Sequence, residues 1–231
     1  MPFHAAGVHA NGSRDNAFSR VVSSYTPSIK ALGYACSQIR HAQSRHAQSN
    51  QTAQEQMLIT LMPTTPKGAN DEAAFGNLEG VCLEQSQVES KVSPHLSTLI
   101  SIAPDAEYVL NQLETCQMVH FACHGISYPR DPSSSGLVLQ RVATDGTLEQ
   151  DHLSVFRISQ LRLRHAQIAY LPACSTAENK GMQLRDGVIH IVSGFQVAGF
   201  PNVVGSLLSA GDEECVEVAT HFYSSLFGMA D

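Results

Sequence analysis

Two short apolar runs that break off in reactive residues constrain this chain more than any other feature. Residues 118–125 read Met-Val-His-Phe-Ala-Cys-His-Gly, and residues 168–176 read Ile-Ala-Tyr-Leu-Pro-Ala-Cys-Ser-Thr. Runs of this length, bounded by turn residues, suit strands buried on both faces of a parallel sheet. Open α/β sheets carry their chemistry at the carboxyl ends of their strands. The first run delivers His124 followed by Gly125, and the second delivers Cys174 between Ala173 and Ser175. An imidazole and a thiol are thus expected on one sheet edge.

The rest of the chain supplies the alternation that such a sheet needs. Strands are expected at 57–62, closed by Pro63, at 96–102 and at 202–208. Helical spacing runs from Leu78 through Val81, Cys82, Val88 and Val92, interrupted at Gln85 and stopped by Pro94. Pro104-Asp105 opens a short helix with Val109, Leu110 and Leu113 on one face. Residues 137–141 and 147–149, joined through Asp145-Gly146, read as a hairpin. Helices are expected at 156–163, at 188–198 and at 216–227, the last with Val216, Ala219, Phe222, Tyr223 and Leu226 on one face. Residues 18–25 are β-prone, and a helix is expected to begin in 28–36. Residues 40–49 repeat Arg-His-Ala-Gln-Ser twice, too short for a solenoid, so 38–54 is read as a polar inserted loop. The class is α/β with a mainly parallel central sheet and flanking helices.

Composition narrows the function. With 43% hydrophobic and 15% charged residues, the 231-residue chain can bury a real core. The net charge of -7 gives no general drive toward nucleic acid or an anionic membrane. Residues 1–50 carry Arg14, Arg20, Lys30, Arg40 and Arg45 against Asp15 alone, too dilute for a nucleic-acid patch. The uncharged stretch 188–211 is long enough to span a membrane, but Gly199, Phe200, Pro201 and Asn202 break it. None of the six cysteines is spaced as CxxC, and residues 1–10 do not read as a signal peptide, so reduced, intracellular thiols are expected.

Cysteine attacks as its thiolate, and an ordinary thiol, with a pKa of roughly 8.5, is mostly protonated at neutral pH. A nearby histidine takes that proton and later returns it to a leaving amine. Backbone amides complete such a site by holding the oxyanion. Gly125 suits that role because a carbonyl can approach its main chain closely, and the amide of Cys174 is the natural second donor. Pro172 has no N–H. Alternation turns Cys123 away from His124, and His120 is expected to be a satisfied core histidine. A metal site built from Cys123, His124 and Cys174 is the weaker alternative, since adjacent residues on one strand do not converge on one ion. No metal or cofactor is expected.

These residues carry a resemblance. Pro2-Phe3-His4-Ala5-Ala6-Gly7, Ser23-Ser24-Tyr25-Thr26-Pro27, His120-Phe121-Ala122-Cys123-His124-Gly125 and Ala173-Cys174-Ser175-Thr176-Ala177 resemble the CHAT domain, particularly fungal versions. So do Ile189-His190, the run from Gly194 to Phe200, and Val203-Val204-Gly205-Ser206-Leu207. CHAT domains are caspase-like modules often found after tetratricopeptide repeats. The separation of His124 from Cys174 also agrees with the caspase spacing. The resemblance implies a caspase-like three-layer sandwich and a dyad of Cys174 as nucleophile and His124 as acid/base. Where the family has an acidic pair, this chain has Asp186-Gly187. Where the family has a tryptophan, it has Leu208. The family motif at residues 2–7 ordinarily lies well inside the domain, so a domain short at both ends is expected.

Two functions follow as expectations. One is a cysteine endopeptidase cleaving a protein partner, with Asp131, Asp145 or Asp186 lining a pocket for a basic side chain. The other is a catalytically silent module that docks a protein carrying tetratricopeptide repeats.

Overall fold

The computed structural model describes residues 6–10, 12–21, 23–26, 28–48, 55–68, 75–128, 130–171, 184–206 and 211–228, and within these the side chains of 42, 43, 45–48 and 184–190 are not described. In chain order the elements are α1 (Ile29–Gln48), β1 (Gln56–Leu61), α2 (Val81–Val92), β2 (Ser97–Ile102), α3 (Ala106–Leu113), β3 (Met118–Ala122), β4 (Gly125–Ile126), β5 (Gly136–Val142), β6 (Leu148–Ser154), α4 (Val155–Ser159), β7 (Ile168–Leu171), α5 (Leu184–Ala198), β8 (Asn202–Gly205) and α6 (Asp212–Leu226). Five strands form a parallel sheet in the order β2-β1-β3-β7-β8. A second, antiparallel sheet has the order β4-β5-β6.

Strand alternation sorts the apolar side chains into two layers. Leu58, Met62, Val119, Phe121, Ala169 and Leu171 face α3, α4 and α5, where they meet Val109, Leu113, Ile158, Ile191 and Phe195. Phe195 stands between Phe121 and Phe200, with ring centroids 5.5 Å and 5.7 Å away. Met57, Ile59, Leu61, Met118, Ala122 and Tyr170 face the other way, onto Val81, Val88 and Val92 of α2 and Ala219 and Tyr223 of α6. The molecule is thus an α/β sandwich of three layers, the class that the strand–helix alternation implies.

Local chemistry sets the element ends. The Asp105 carboxylate accepts from the Tyr108 N–H at 2.7 Å and caps α3, and Asp151 of β6 accepts from the Ala106 N–H at 2.7 Å. Arg157 of α4 reaches both Asp151 and Glu107, tying the hairpin to α3. The β5–β6 hairpin turns at Gly146, φ 83°. Between α5 and β8, Gly199 has φ 133°, and a Cβ there would lie 2.3 Å from the Leu163 carbonyl oxygen. Substituting Gly199→Ala is therefore expected to destabilise the fold by about 1–3 kcal/mol, measured by urea denaturation.

Several expectations from sequence need correction. Among the described residues of 18–25 there is no strand: a short 3-10 turn covers Ala17–Ser19 and leaves Phe18 64% exposed. The Asn16 side chain accepts from the Ser19 N–H at 3.0 Å, a local bond that competes with strand pairing. The polar repeat is not a loop up to Gln48, because α1 runs through it. Its Arg, Ala and Gln are good helix formers and it holds no Gly or Pro. On α2 the buried stripe is Val81, Glu84, Val88 and Val92, so Glu84 rather than Gln85 interrupts it, and Cys82 is exposed. The helix expected at 156–163 stops at Ser159. Strand β3 ends at Ala122, two residues before His124. Helix α6 begins at Asp212, where three acidic residues suit a helix N-terminus, and Leu226 at its other end is exposed. The described part of the stretch 188–211 holds the C-terminal part of α5 and all of β8, and among the described residues no helix is long and apolar enough to cross a membrane.

Candidate active site

The strand order reverses at β1, which sends the chain to β2 on one side and later to β3 on the other. Crevices at such a reversal, beyond the carboxyl ends of the strands, are the ligand sites of open α/β sheets. His124 sits there. It follows β3, is 4% exposed, and its carbonyl accepts from the Val138 N–H of β5 at 2.8 Å. Its ring stacks on Phe75 with centroids 4.8 Å apart, and its Nε2 is 2.8 Å from the Gly76 carbonyl oxygen. A carbonyl only accepts, so Nε2 carries the proton in this bond, and in the neutral ring Nδ1 carries the lone pair. The Gly76 segment is held to β1 by the bond from the Leu78 N–H to the Pro63 carbonyl, 2.9 Å. Both loops of the crevice thus position one imidazole.

Gly125 opens β4 opposite Leu137 of β5. The bond from Val138 N–H to the His124 carbonyl makes Gly125 and Leu137 a non-hydrogen-bonded pair, so the Gly125 N–H points away from β5. Strand β7 lies directly beside β3, parallel, with Met118 opposite Ile168, Val119 opposite Ala169 and His120 opposite Tyr170. Cys174 and its neighbours lie outside the described residues.

Asp131 lies in the loop between β4 and β5, exposed, and accepts from the Ser133 and Ser134 hydroxyls at 2.5 Å each. Those bonds, Ser133 first, hold its carboxyl below the usual carboxylate range. Asp186 is in the first turn of α5, and its side chain is not described. Asp145 is at the tip of the β5–β6 hairpin, bonded to Thr147. Five residues of extended strand, roughly 17 Å, separate Val138, which touches His124, from the start of that turn. Asp145 is accordingly removed from the crevice.

Cys123 is buried in the layer facing α3 and α5, as alternation requires. Cys116 is also buried, and burial pushes its thiol pKa up. Cys36 and Cys82 are exposed, although Cys82 falls within the apolar spacing expected of the helix after Leu78. His120 is fully buried, as expected of a core histidine. Among the described residues no group of three or more His, Cys, Asp or Glu is arranged to hold a metal ion.

The sequence reading did not find Phe75 and Gly76. A backbone carbonyl has no sequence signature, and the segment reads only as loop. Glu84 was missed too, although a carboxylate on the Val81–Val88–Val92 stripe is a visible signal.

The sequence profile of the CHAT domain matches residues 1–230, essentially the whole chain. The chain belongs to the CHAT domain family. No curated protein matches it significantly in sequence. In this CHAT domain the histidine of the motif His120-Phe121-Ala122-Cys123-His124-Gly125 that lies in the crevice is His124, while His120 is turned into the α2/α6 layer.

Proposed function

We propose that this CHAT domain is a cysteine endopeptidase of the caspase-like class, with Cys174 as nucleophile and His124 as general acid/base. The observation that carries the reading is the register of β3 against β7. Facing residues are 50 positions apart, as in His120 and Tyr170, and His124 and Cys174 are separated by the same 50 positions. The two side chains stand level if that alignment holds past the strand ends. The reading is also supported by the Gly76 carbonyl, which lies 2.8 Å from His124 Nε2 and helps to hold the imidazole in the crevice.

The chemistry then runs in two halves. His124 Nδ1 takes the Cys174 thiol proton, and the thiolate attacks the scissile carbonyl. The amides of Gly125 and Cys174 hold the tetrahedral oxyanion. Collapse breaks the C–N bond, His124 returns its proton to the leaving amine, and a thioester remains. Water, deprotonated by His124, then releases the acid and restores the thiol. A basic substrate residue would meet Asp131, whose carboxylate is kept ionised by its serine partners, and Asp186 belongs to the same proposed pocket.

The second reading, a silent module docking a protein with tetratricopeptide repeats, is favoured by Ile29, 88% exposed on α1, and by the exposed Leu32 one turn on. One experiment separates the two. Iodoacetamide at neutral pH, with modified sites mapped by mass spectrometry, should label Cys174 well ahead of the exposed Cys36 and Cys82. The dyad predicts up to about thirtyfold, the ratio between full and unperturbed thiolate content. Equal labelling of all three in folded protein supports the docking module.

A further inference from the structure

Beneath the crevice, on the α2/α6 side of the sheet, four polar side chains close on one another. His120 of β3 lies flat on Tyr170 of β7, ring centroids 5.0 Å apart and planes within 7°. Its Nδ1 is 3.2 Å from the Tyr223 hydroxyl of α6. Its Nε2 is 3.2 Å from Glu84 Oε1 of α2, close but off the hydrogen-bond axis, so that contact is chiefly electrostatic. All four residues are at most 3% exposed. Burial raises the pKa of both phenols, which therefore stay neutral hydroxyls.

A carboxylate and an imidazole in such a place are not explained by stability, since apolar side chains of the same volume commonly hold a layer as well or better. Their position suggests alignment. Strands β3 and β7 pair over three residues, and His120–Tyr170 is the last pair before the crevice. A two-residue slip keeps every apolar side chain on its own face. It would set His120 against Ile168 or Pro172 and leave the polar groups of α2 and α6 without their imidazole. The same slip would move His124 about 6.6 Å along β7, beyond hydrogen-bond reach of its partner.

We propose that Glu84, His120 and Tyr223, closed over Tyr170, form a register clamp: positioning residues that hold β3 and β7 in the one alignment that brings His124 level with Cys174. The inference rests on the dyad reading for its consequence and on the buried cluster for its structure.

The test replaces the polar groups while keeping the packing, in the triple variant Glu84→Met/His120→Phe/Tyr223→Phe. Its urea midpoint should equal or exceed that of the unmodified chain. Cys174 alkylation should slow about tenfold and take on the pH profile of an ordinary thiol, and the β7 amides should exchange faster. Glu84→Gln alone keeps the shape but gives up the charge behind the contact with His120, so it should slow alkylation in the same direction as the triple variant and by less; unchanged alkylation and exchange in Glu84→Gln would remove Glu84 from the clamp. A folded triple variant with unchanged alkylation, pH profile and exchange overturns the clamp. Should the triple variant not fold, Tyr223→Phe serves alone: about threefold slower alkylation with faster β7 exchange supports the clamp, and no change in either overturns it. The exchange readout is independent of thiol reactivity. If Cys174 of the unmodified chain reacts no faster than Cys36 and Cys82, the dyad fails while exchange still judges the clamp.

Discussion

Replacing His124 by alanine should slow Cys174 alkylation by about 10- to 30-fold at neutral pH and reduce peptide cleavage by 10²–10⁴-fold or more, these being order-of-magnitude values. The two numbers differ because alkylation needs only the thiolate. An unperturbed thiol is about 3% ionised at pH 7, so losing the imidazole costs at most the remaining factor. On the proposed mechanism, cleavage also needs the proton that His124 returns to the leaving amine. Cys174→Ala should remove cleavage entirely. Kinetics of iodoacetamide labelling and of fluorogenic peptide hydrolysis read the two effects separately. Equal losses in both would mean that His124 acts on the fold and not on the proton.

His120→Ala should lower the free energy of unfolding by about 3–5 kcal/mol, because it strands the Glu84 carboxylate in an apolar layer with its partner removed. The Tyr223 hydroxyl loses its partner as well, and Tyr170 loses a stacked ring. Urea denaturation measures this directly. Adding Glu84→Met to His120→Ala should recover part of the loss, since the stranded charge is then gone. A loss of less than about 1 kcal/mol for His120→Ala would mean that the pair is nearly neutral in energy and that Glu84 finds other partners.

The parts legible in the sequence are those whose signal is local. Strands β1, β2 and β3 are short runs rich in apolar and β-branched residues, interrupted at Thr60, Ser101 and His120, Pro104-Asp105 announces α3, and Asp145-Gly146 marks the hairpin turn, because each is fixed by neighbours in the chain. The run 18–25 misled, since β-prone residues such as Val21 make a strand only where a neighbouring edge accepts them, and Asn16 takes up a local donor instead. The helix through the Arg-His-Ala-Gln-Ser repeat was missed because polarity was read as loop, whereas propensity alone favours helix there. In the site, His124 was legible as a reactive residue at a strand end. The Gly76 carbonyl that orients it was not, being backbone brought from 48 positions earlier in the chain by the loop after β1.

The central claim is that Cys174 and His124 stand side by side, and it can be tested without any assay of activity. Level positions on neighbouring parallel strands lie roughly 4.8 Å apart, inside the disulfide window of roughly 4.4–6.8 Å between Cα atoms. In a Cys123→Ala background, His124→Cys should therefore link to Cys174 on mild oxidation, giving a single cross-linked peptide pair in the mass spectrum of folded protein. A folded variant in which the introduced thiol stays reduced, or pairs with any other cysteine while Cys174 remains free, would contradict the account.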